Sequence, residues 1–223
     1  MPCRTKSVTA KAKTLKVPNS KKPTSKTQTK STKKKQTKAK EDTKENRCIT
    51  DFFPIVSRRA LAAKVKLEEF NRQIQKCIET RTDPTENLIV THFDEKGKGI
   101  VAGTALNKGS FICEYSGDLI DLIEAKARES KYEQSGAGCY MYYFNWNSVI
   151  HCVDATLPSG RLGRLINHSR KAPNCKTTIF EHNGQPHLIF IALRDIEVGE
   201  EILYDYGERD PKAIRSNPWI TTT

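Results

Sequence analysis

A mainly β domain built of several small sheets, preceded by an amphipathic helix and a disordered basic tail, is the fold this sequence predicts. Three observations carry the prediction. The net positive charge is confined to the first forty residues, a helical period of apolar residues occupies a stretch near residue 70, and a period of two runs from residue 87 to residue 206 between turn signals.

Of the 223 residues, 38 are Lys or Arg and 26 are Asp or Glu. Fourteen of the basic residues lie in residues 1–40, which hold no acidic residue, so 24 basic face 26 acidic in the rest; the net +12 is a tail of +14 on a body of −2. Residues 1–45 are Lys, Thr and Ser with almost nothing to bury. Such a segment cannot offset ordering costs of roughly 1–2 kcal/mol per residue, and disorder is expected. It reads either as a solubilising tail or as an arm that binds polyanions such as DNA, with Lys33–Lys38 as a nuclear-import patch.

Residues 46–57, NRCITDFFPIVS, hold the first apolar cluster. One helical turn would bring Ile49, Phe52 and Phe53 to one face, and Pro54 stops further extension. This is either a docking peptide or a tether packed on the neighbouring domain. Over 58–84 the period is helical: Leu67, Phe70, Ile74 and Cys77/Ile78 recur with charges between them, and Asp83-Pro84 ends the run.

Residues 85–223 then form the domain. Expected strands are Leu88–His92, Ile100–Thr104, Phe111–Tyr115, Cys139–Trp146, Val149–Asp154, Lys176–Glu181, His187–Leu193 and Glu201–Tyr206, with one short helix at Leu122–Tyr132. Asn183-Gly184 between two strand-like runs signals a tight hairpin.

Several classes fall away. No apolar run approaches the roughly 18 residues that span a bilayer, and the start carries no apolar secretory core. The cysteines at 3, 48, 77, 113, 139, 152 and 175 form no CxxC pair, so reduced thiols and no metal site are expected. No Gly-rich phosphate loop and no nucleophile elbow occur. Two polar clusters stand out: Asn167-His168-Ser169 after an apolar run, and Tyr204-Asp205-Tyr206-Gly207 at the end of a strand. Alternation puts Tyr204 and Tyr206 on one face, as core aromatics or as a site.

Those two clusters, with Gly199-Glu200-Glu201-Ile202-Leu203 before the second, resemble the signature of SET-domain protein lysine methyltransferases. Lys96-Gly97-Lys98-Gly99 and Glu114-Tyr115-Ser116-Gly117 match earlier motifs of that family in the right order. Cys139-Tyr140-Met141-Tyr142-Tyr143-Phe144, Val153-Asp154-Ala155-Thr156 and Arg161–Ser169 resemble the branch that monomethylates lysine twenty of histone H4.

The resemblance implies a SET fold with a knot-like C-terminal crossing and S-adenosyl-L-methionine as cofactor, without metal. It implies cofactor contacts from Lys96, Gly97, Lys98, Tyr140, Asn167, His168 and Trp219. It also implies a lysine channel of Tyr115, Tyr140, Tyr204 and Tyr206, with Tyr206 as main catalytic orienter, Tyr204 setting the methyl count and Tyr115 beside them. The implied partners are the nucleosome and its histone H4 tail, for a monomeric protein of nucleus and chromosome that touches no membrane. Residues 46–57 resemble the peptide that binds the replication sliding clamp, and Thr50-Asp51 resemble its variant that recruits a cullin-type ubiquitin ligase; Asn46 stands where that peptide has Gln. Two other readings remain at this point: a chromatin-binding SET module with weak catalysis, and the same enzyme acting on a different lysine.

Overall fold

The computed structural model describes Arg4–Ser7 and residues 57–94, 96–136, 138–209, 211–216 and 218–223. Arg4–Ser7 and Leu67–Thr223 belong to one compact unit; the opening turns of the first helix, up to Lys66, belong to a second. The apolar cluster Ile49, Phe52 and Phe53 lies outside the described residues, as does most of the basic tail.

Helix α1 (Arg58–Thr80) buries Ile74 and Cys77, with Phe70 and Ile78 beside them, against Phe111, Phe180, Ile189 and Ile191. The expected stripe therefore holds from Phe70 onward, whereas Leu67 is exposed. A residue with left-handed backbone, Arg81, and then Asp83-Pro84 end the helix.

Three small sheets follow. Strands β2 (Leu88–Phe93) and β3 (Gly97–Ala102) form an antiparallel pair in which Phe93 faces Gly97 across the turn. A five-stranded sheet has the order β4-β10-β9-β11-β8, built of β4 (Phe111–Glu114), β8 (Asn167–His168), β9 (Cys175–His182), β10 (Gln185–Ala192) and β11 (Leu203–Tyr204). Its β9–β10 hairpin turns at Asn183 and Gly184, both with positive φ, as the Asn-Gly pair requires. A four-stranded sheet has the order β1-β6-β7-β5, with β1 (Arg4–Ser7), β5 (Asp118–Asp121), β6 (Tyr140–Trp146) and β7 (Val149–Asp154). Helix α2 (Leu122–Ser135) is capped by the Asp121 carboxylate, which accepts from the Glu124 amide at 2.9 Å, and it ends at Gly136 in the left-handed region. Helices α3 (Pro211–Ser216) and α4 (Trp219–Thr222) close the chain.

Four features depart from the expectations. Arg4–Ser7, inside the segment expected to be disordered, pairs parallel with Tyr140–Tyr143; backbone bonding along an open sheet edge needs no apolar side chains. The expected strand 201–206 is divided: Glu201 bridges to Val101 of β3, and only Leu203–Tyr204 enters the five-stranded sheet. Strands β5 and β8 were not foreseen. Cys139 is disulfide-bonded, against the expectation of reduced thiols, while Cys77, Cys113, Cys152 and Cys175 are free. Among the described residues no cluster of His, Cys, Asp and Glu suits a metal ion, and no helix is long and apolar enough to cross a membrane.

Candidate active site

The site forms where two very short strands, β8 and β11, lie side by side. Strand β11 lies between β8 and β9 and is parallel to both, so Tyr204 has His168 as its partner on one side and Cys175 on the other. The Ser169 amide donates to the Tyr204 carbonyl at 3.1 Å. His168 holds what comes next: its Nδ1 accepts from the Tyr206 amide at 3.0 Å and its Nε2 donates to the Ile220 carbonyl at 2.8 Å. That pattern requires the neutral imidazole with its proton on Nε2, and burial keeps the ring neutral by lowering its pKa. The C-terminal residue is tied to the same turn, since the amides of Arg170 and Lys171 both donate to the Thr223 carbonyl.

Around this strand pair the tyrosines meet. Ring centroids are 4.7 Å apart for Tyr204 and Tyr206, 6.4 Å for Tyr142 and Tyr204, and 5.4 Å for Tyr115 and Tyr142. Phe190 packs edge-on against two of them, 4.9 Å from Tyr204 and 6.3 Å from Tyr115. Tyr115 and Tyr204 are each 1% exposed and Tyr206 3%, so the group is dry. The Tyr206 hydroxyl donates to the Ile166 carbonyl at 3.1 Å, and the Tyr142 hydroxyl pairs with Thr177 Oγ1 at 2.5 Å. Burial, then the neighbouring phenols, push the Tyr115 and Tyr204 hydroxyls well above the ordinary tyrosine value; burial pushes Tyr142 up to about 12. These phenols stay protonated at neutral pH. They can orient and polarise but not act as phenolate bases.

Tyr140 stands at the margin of this group. It is half-buried, with the Arg164 guanidinium 4.1 Å from its ring centre, and Arg164 is itself held by the carbonyls of Ala155 (2.6 Å) and Thr156 (2.8 Å). Tyr142 was not singled out from the sequence, yet Tyr140, Tyr142 and Phe144 share one face of β6 by alternation and all belong to the same core, so the signal was there.

The other end of the site is polar. The Glu201 carboxylate takes the Lys96 ammonium at 2.8 Å on one oxygen and the Asn167 amide at 3.0 Å on the other. Gly99 makes this approach feasible: a Cβ there would lie 2.5 Å from Asn167 Nδ2 and 2.7 Å from the Phe93 ring. Gly97, at φ +74°, opens onto space where a Cβ would stand. Lys98 is exposed on β3, opposite His92, and is not brought to Asn167. Trp219 stands edge-on to His168 (5.8 Å) and Tyr206 (6.4 Å). Of the residues expected to hold a cofactor, Lys96 and Asn167 meet on Glu201, His168 and Trp219 pack together, Gly97 adjoins Lys96, Tyr140 packs on the main core beside Arg164, and Lys98 lies exposed on β3. Glu201, which organises the cradle, was missed because a carboxylate after a Gly-Glu turn reads as a solvated surface charge.

Residues 97–207 match the SET domain family. The histone-lysine N-methyltransferase set-1 of Caenorhabditis elegans is 39% identical over 180 residues, 80% of this chain and 74% of that protein. The chain belongs to the SET-domain family. Among its other relatives, the N-lysine methyltransferase KMT5A of Xenopus tropicalis is 45% identical over 177 residues, covering 78% of this chain and 52% of that protein. The histone-lysine N-methyltransferase Set8 of Drosophila melanogaster is 45% identical over 180 residues, 80% of this chain and 26% of the relative. This chain thus spans about half the length, or less, of these last two. The crystal structure of a SET8 from Cryptosporidium superposes with a TM-score of 0.54 at 43% identity, covering 60% of this chain and 63% of that one. The many short strands in several small sheets and the few helices are the SET-domain architecture.

Proposed function

We propose that this SET-domain protein is an S-adenosyl-L-methionine-dependent histone-lysine N-methyltransferase that adds one methyl group to lysine twenty of histone H4 in nucleosomes. The observation that carries this reading is the dry group formed by Tyr115, Tyr142, Tyr204 and Tyr206, joined through His168 and Asn167 to the Lys96–Glu201 cradle. The names of its relatives support the reaction class and the histone substrate.

The residues present fit the cofactor. The space beside Gly97, the ammonium of Lys96, the backbone of Asn167 and His168, and the rings of Trp219 and Tyr140 would hold it. Both ring nitrogens of His168 are engaged within the fold, so its contribution to binding comes from its backbone and ring face. When bound, the cofactor supplies an electrophilic methyl on a sulfonium.

The chain's own task is to present a neutral amine. A lysine side chain titrates near 10.4, about 3 units above neutral pH, so holding it uncharged costs roughly 4 kcal/mol. No carboxylate or imidazole lies within the tyrosine group to take the proton: Asp205 is turned to Arg209 and His168 is committed on both sides. Exclusion of water by the packed rings therefore does the work, because burial disfavours the ammonium form. A phenol both donates and accepts, so Tyr206 can hold the Ile166 carbonyl and accept from the amine, fixing its direction of approach. Tyr204, packed on Tyr206, limits the room left for an amine that already carries a methyl group.

The body's charge of −2 suits a cationic histone tail, and the +14 of residues 1–40 suits nucleosomal DNA, with binding that weakens steeply with salt. Ile49, Phe52 and Phe53 are assigned to a replication sliding clamp, with Thr50-Asp51 recruiting a cullin-type ubiquitin ligase on it; calorimetry of residues 44–60 against the clamp tests this. A monomer acting in the nucleus on chromosomes completes the reading. The decisive experiment is methylation of recombinant nucleosomes, with site and methyl count read by mass spectrometry. Monomethyl-lysine at position twenty of histone H4 is expected; transfer confined to another lysine overturns the specificity, and no transfer overturns the activity.

A further inference from the structure

One buried set of charges takes no part in that chemistry. Arg161 is 7% exposed; its Nε donates to Asp83 at 3.1 Å, and its Nη2 lies 2.9 Å from both Asp83 and Glu114. The same Nη2 reaches Cys77 Sγ at 3.2 Å, and Nη1 reaches the Ser116 hydroxyl at 3.4 Å. The second oxygen of Asp83 accepts from the Leu162 amide at 2.7 Å, and the second oxygen of Glu114 faces His187 Nδ1 at 2.8 Å. Burial alone would weaken the guanidinium's hold on its proton, but Asp83 and Glu114 more than offset this.

A network of this kind is an inefficient way to gain stability, since well-packed apolar residues of equal volume often do as well. What it does supply is geometry. Glu114 is followed directly by Tyr115. Arg161 and Leu162 lead into Gly163, whose backbone lies so close to β4 that a Cβ would stand 2.2 Å from the Glu114 carbonyl. The 3-10 turn Gly163–Leu165 then delivers the Ile166 carbonyl, the acceptor for the Tyr206 hydroxyl. Two walls of the tyrosine group, Tyr115 and Tyr206, are thereby referred to one guanidinium. Its outer anchor, Asp83, lies in the lead-in, beyond the segment 97–207 that matches the family.

We propose that Arg161 and Asp83 are positioning residues of the methyl-transfer site, setting the separation between Tyr115 and the Ile166 carbonyl that holds Tyr206. This rests on the function proposed above. The planar fork of Arg161 spans Asp83 and Glu114 together, which a lysine ammonium cannot do.

The test is a double-mutant cycle in the full chain, Arg161→Lys with Tyr115→Phe, reading kcat, KM for a histone H4 tail peptide, methyl count, melting temperature and hydrogen exchange of the Leu162 amide. Displacements of about 1 Å in such a site cost up to roughly a hundredfold, so Arg161→Lys is expected to lower kcat by at least about tenfold with KM nearly unchanged. In the Tyr115→Phe background the same change should cost less than about threefold, because the two act through one geometry. Additive effects in the cycle, or a loss of kcat that only tracks the unfolded fraction, overturn the proposal. Should Arg161→Lys fail to fold, Asp83→Asn carries the same test, since it retains an acceptor for Leu162; faster exchange at Leu162 together with unchanged kcat overturns positioning. Absence of transfer by the wild-type chain overturns the functional reading itself, while exchange at Leu162 still reports whether Asp83 tethers the turn.

Discussion

Tyr204 and Tyr206 pack with their ring centroids 4.7 Å apart, but they are held in different ways. Tyr206 is fixed at both ends, its amide on His168 and its hydroxyl on the Ile166 carbonyl. Tyr204 is fixed by its backbone between β8 and β9, and its ring is confined by Phe190 and Tyr142. The two residues are two positions apart in the chain, yet the scaffold assigns orientation to one and confinement to the other.

Removing a single oxygen from the confining ring should change the product rather than abolish the reaction. Tyr204→Phe is expected to yield dimethyl-lysine and the wild type monomethyl-lysine, with stability altered by no more than about 1 kcal/mol, the usual scale for one hydroxyl. Mass spectrometry of the product measures this. Exclusively monomethyl product from the variant would remove Tyr204 from that role. By contrast, Tyr206→Phe should keep the methyl count and lower kcat by roughly a hundredfold, the scale for loss of one pre-organised polar group.

The cradle should be sensitive at a residue with no side chain. Gly99→Ala would bring a Cβ to 2.5 Å from the Asn167 amide nitrogen and 2.7 Å from the Phe93 ring. Asn167 must then move off Glu201, which also anchors Lys96. KM for the cofactor is expected to rise by about tenfold or more, in line with the ~1.5–3 kcal/mol of a hydrogen bond to a charged group. KM for the peptide should stay near its wild-type value, because the atoms nearest a Cβ at Gly99 belong to Asn167 and Phe93 and not to the tyrosine group. A fall in kcat with both KM values unchanged would point instead to general unfolding.

How much of this was legible in the sequence depends on the range of the interaction concerned. Val149–Asp154 was read to the residue and Tyr140–Trp146 to within one, because a run of β-branched or aromatic residues is a local signal. Asp118–Asp121 gave no such pattern: it is an edge strand, mostly exposed, and its last residue doubles as the cap of α2. Asn167–His168 is a strand only because Leu203–Tyr204 arrives beside it from far along the chain, and two residues carry no period. The site residues divide in the same way. Tyr204, Tyr206 and Asn167 came from motifs and Tyr142 was recoverable from alternation, whereas Glu201, Arg161 and Arg164 are charged residues whose buried partners only the folded chain supplies.

Acid should weaken the turn before β11 in a defined window. The Glu200 carboxylate is held by Arg194, by the Asn174 amide at 3.0 Å and by the Glu197 amide at 3.1 Å. Arg194 foremost lowers its pKa from 4.5 to about 2. A carboxylate held below its unfolded value adds stability that is complete above about pH 4.5 and disappears as pH falls through about 2. Arg194→Gln should therefore be less stable than wild type at neutral pH, modestly because the pair is partly exposed, and the difference should vanish near pH 2. Chemical denaturation at a series of pH values measures it; a difference that persists unchanged at pH 2 would show that Arg194 acts through packing.

The C-terminal closure should also respond to acid, in a higher window and for the opposite chemical reason. His168 is buried neutral, with a pKa below the ordinary 6.5, and its Nδ1 must accept from the Tyr206 amide. Protonation would set two donors against each other and place a charge in a dry site. The folded state binds the proton less well than the unfolded state, so the stabilisation is complete above pH 6.5 and is lost as pH falls below it through the lowered value. Because the same ring holds the Ile220 carbonyl and packs on Trp219, the closing helix α4 should loosen first. In a Trp146→Phe background, in which Trp219 is the remaining tryptophan, its emission should shift to the red over that range, with faster exchange at the Thr223 amide, while the β9–β10 amides stay protected. Simultaneous loss of protection in both places would mean that acid unfolds the domain as a whole and that His168 is not the latch.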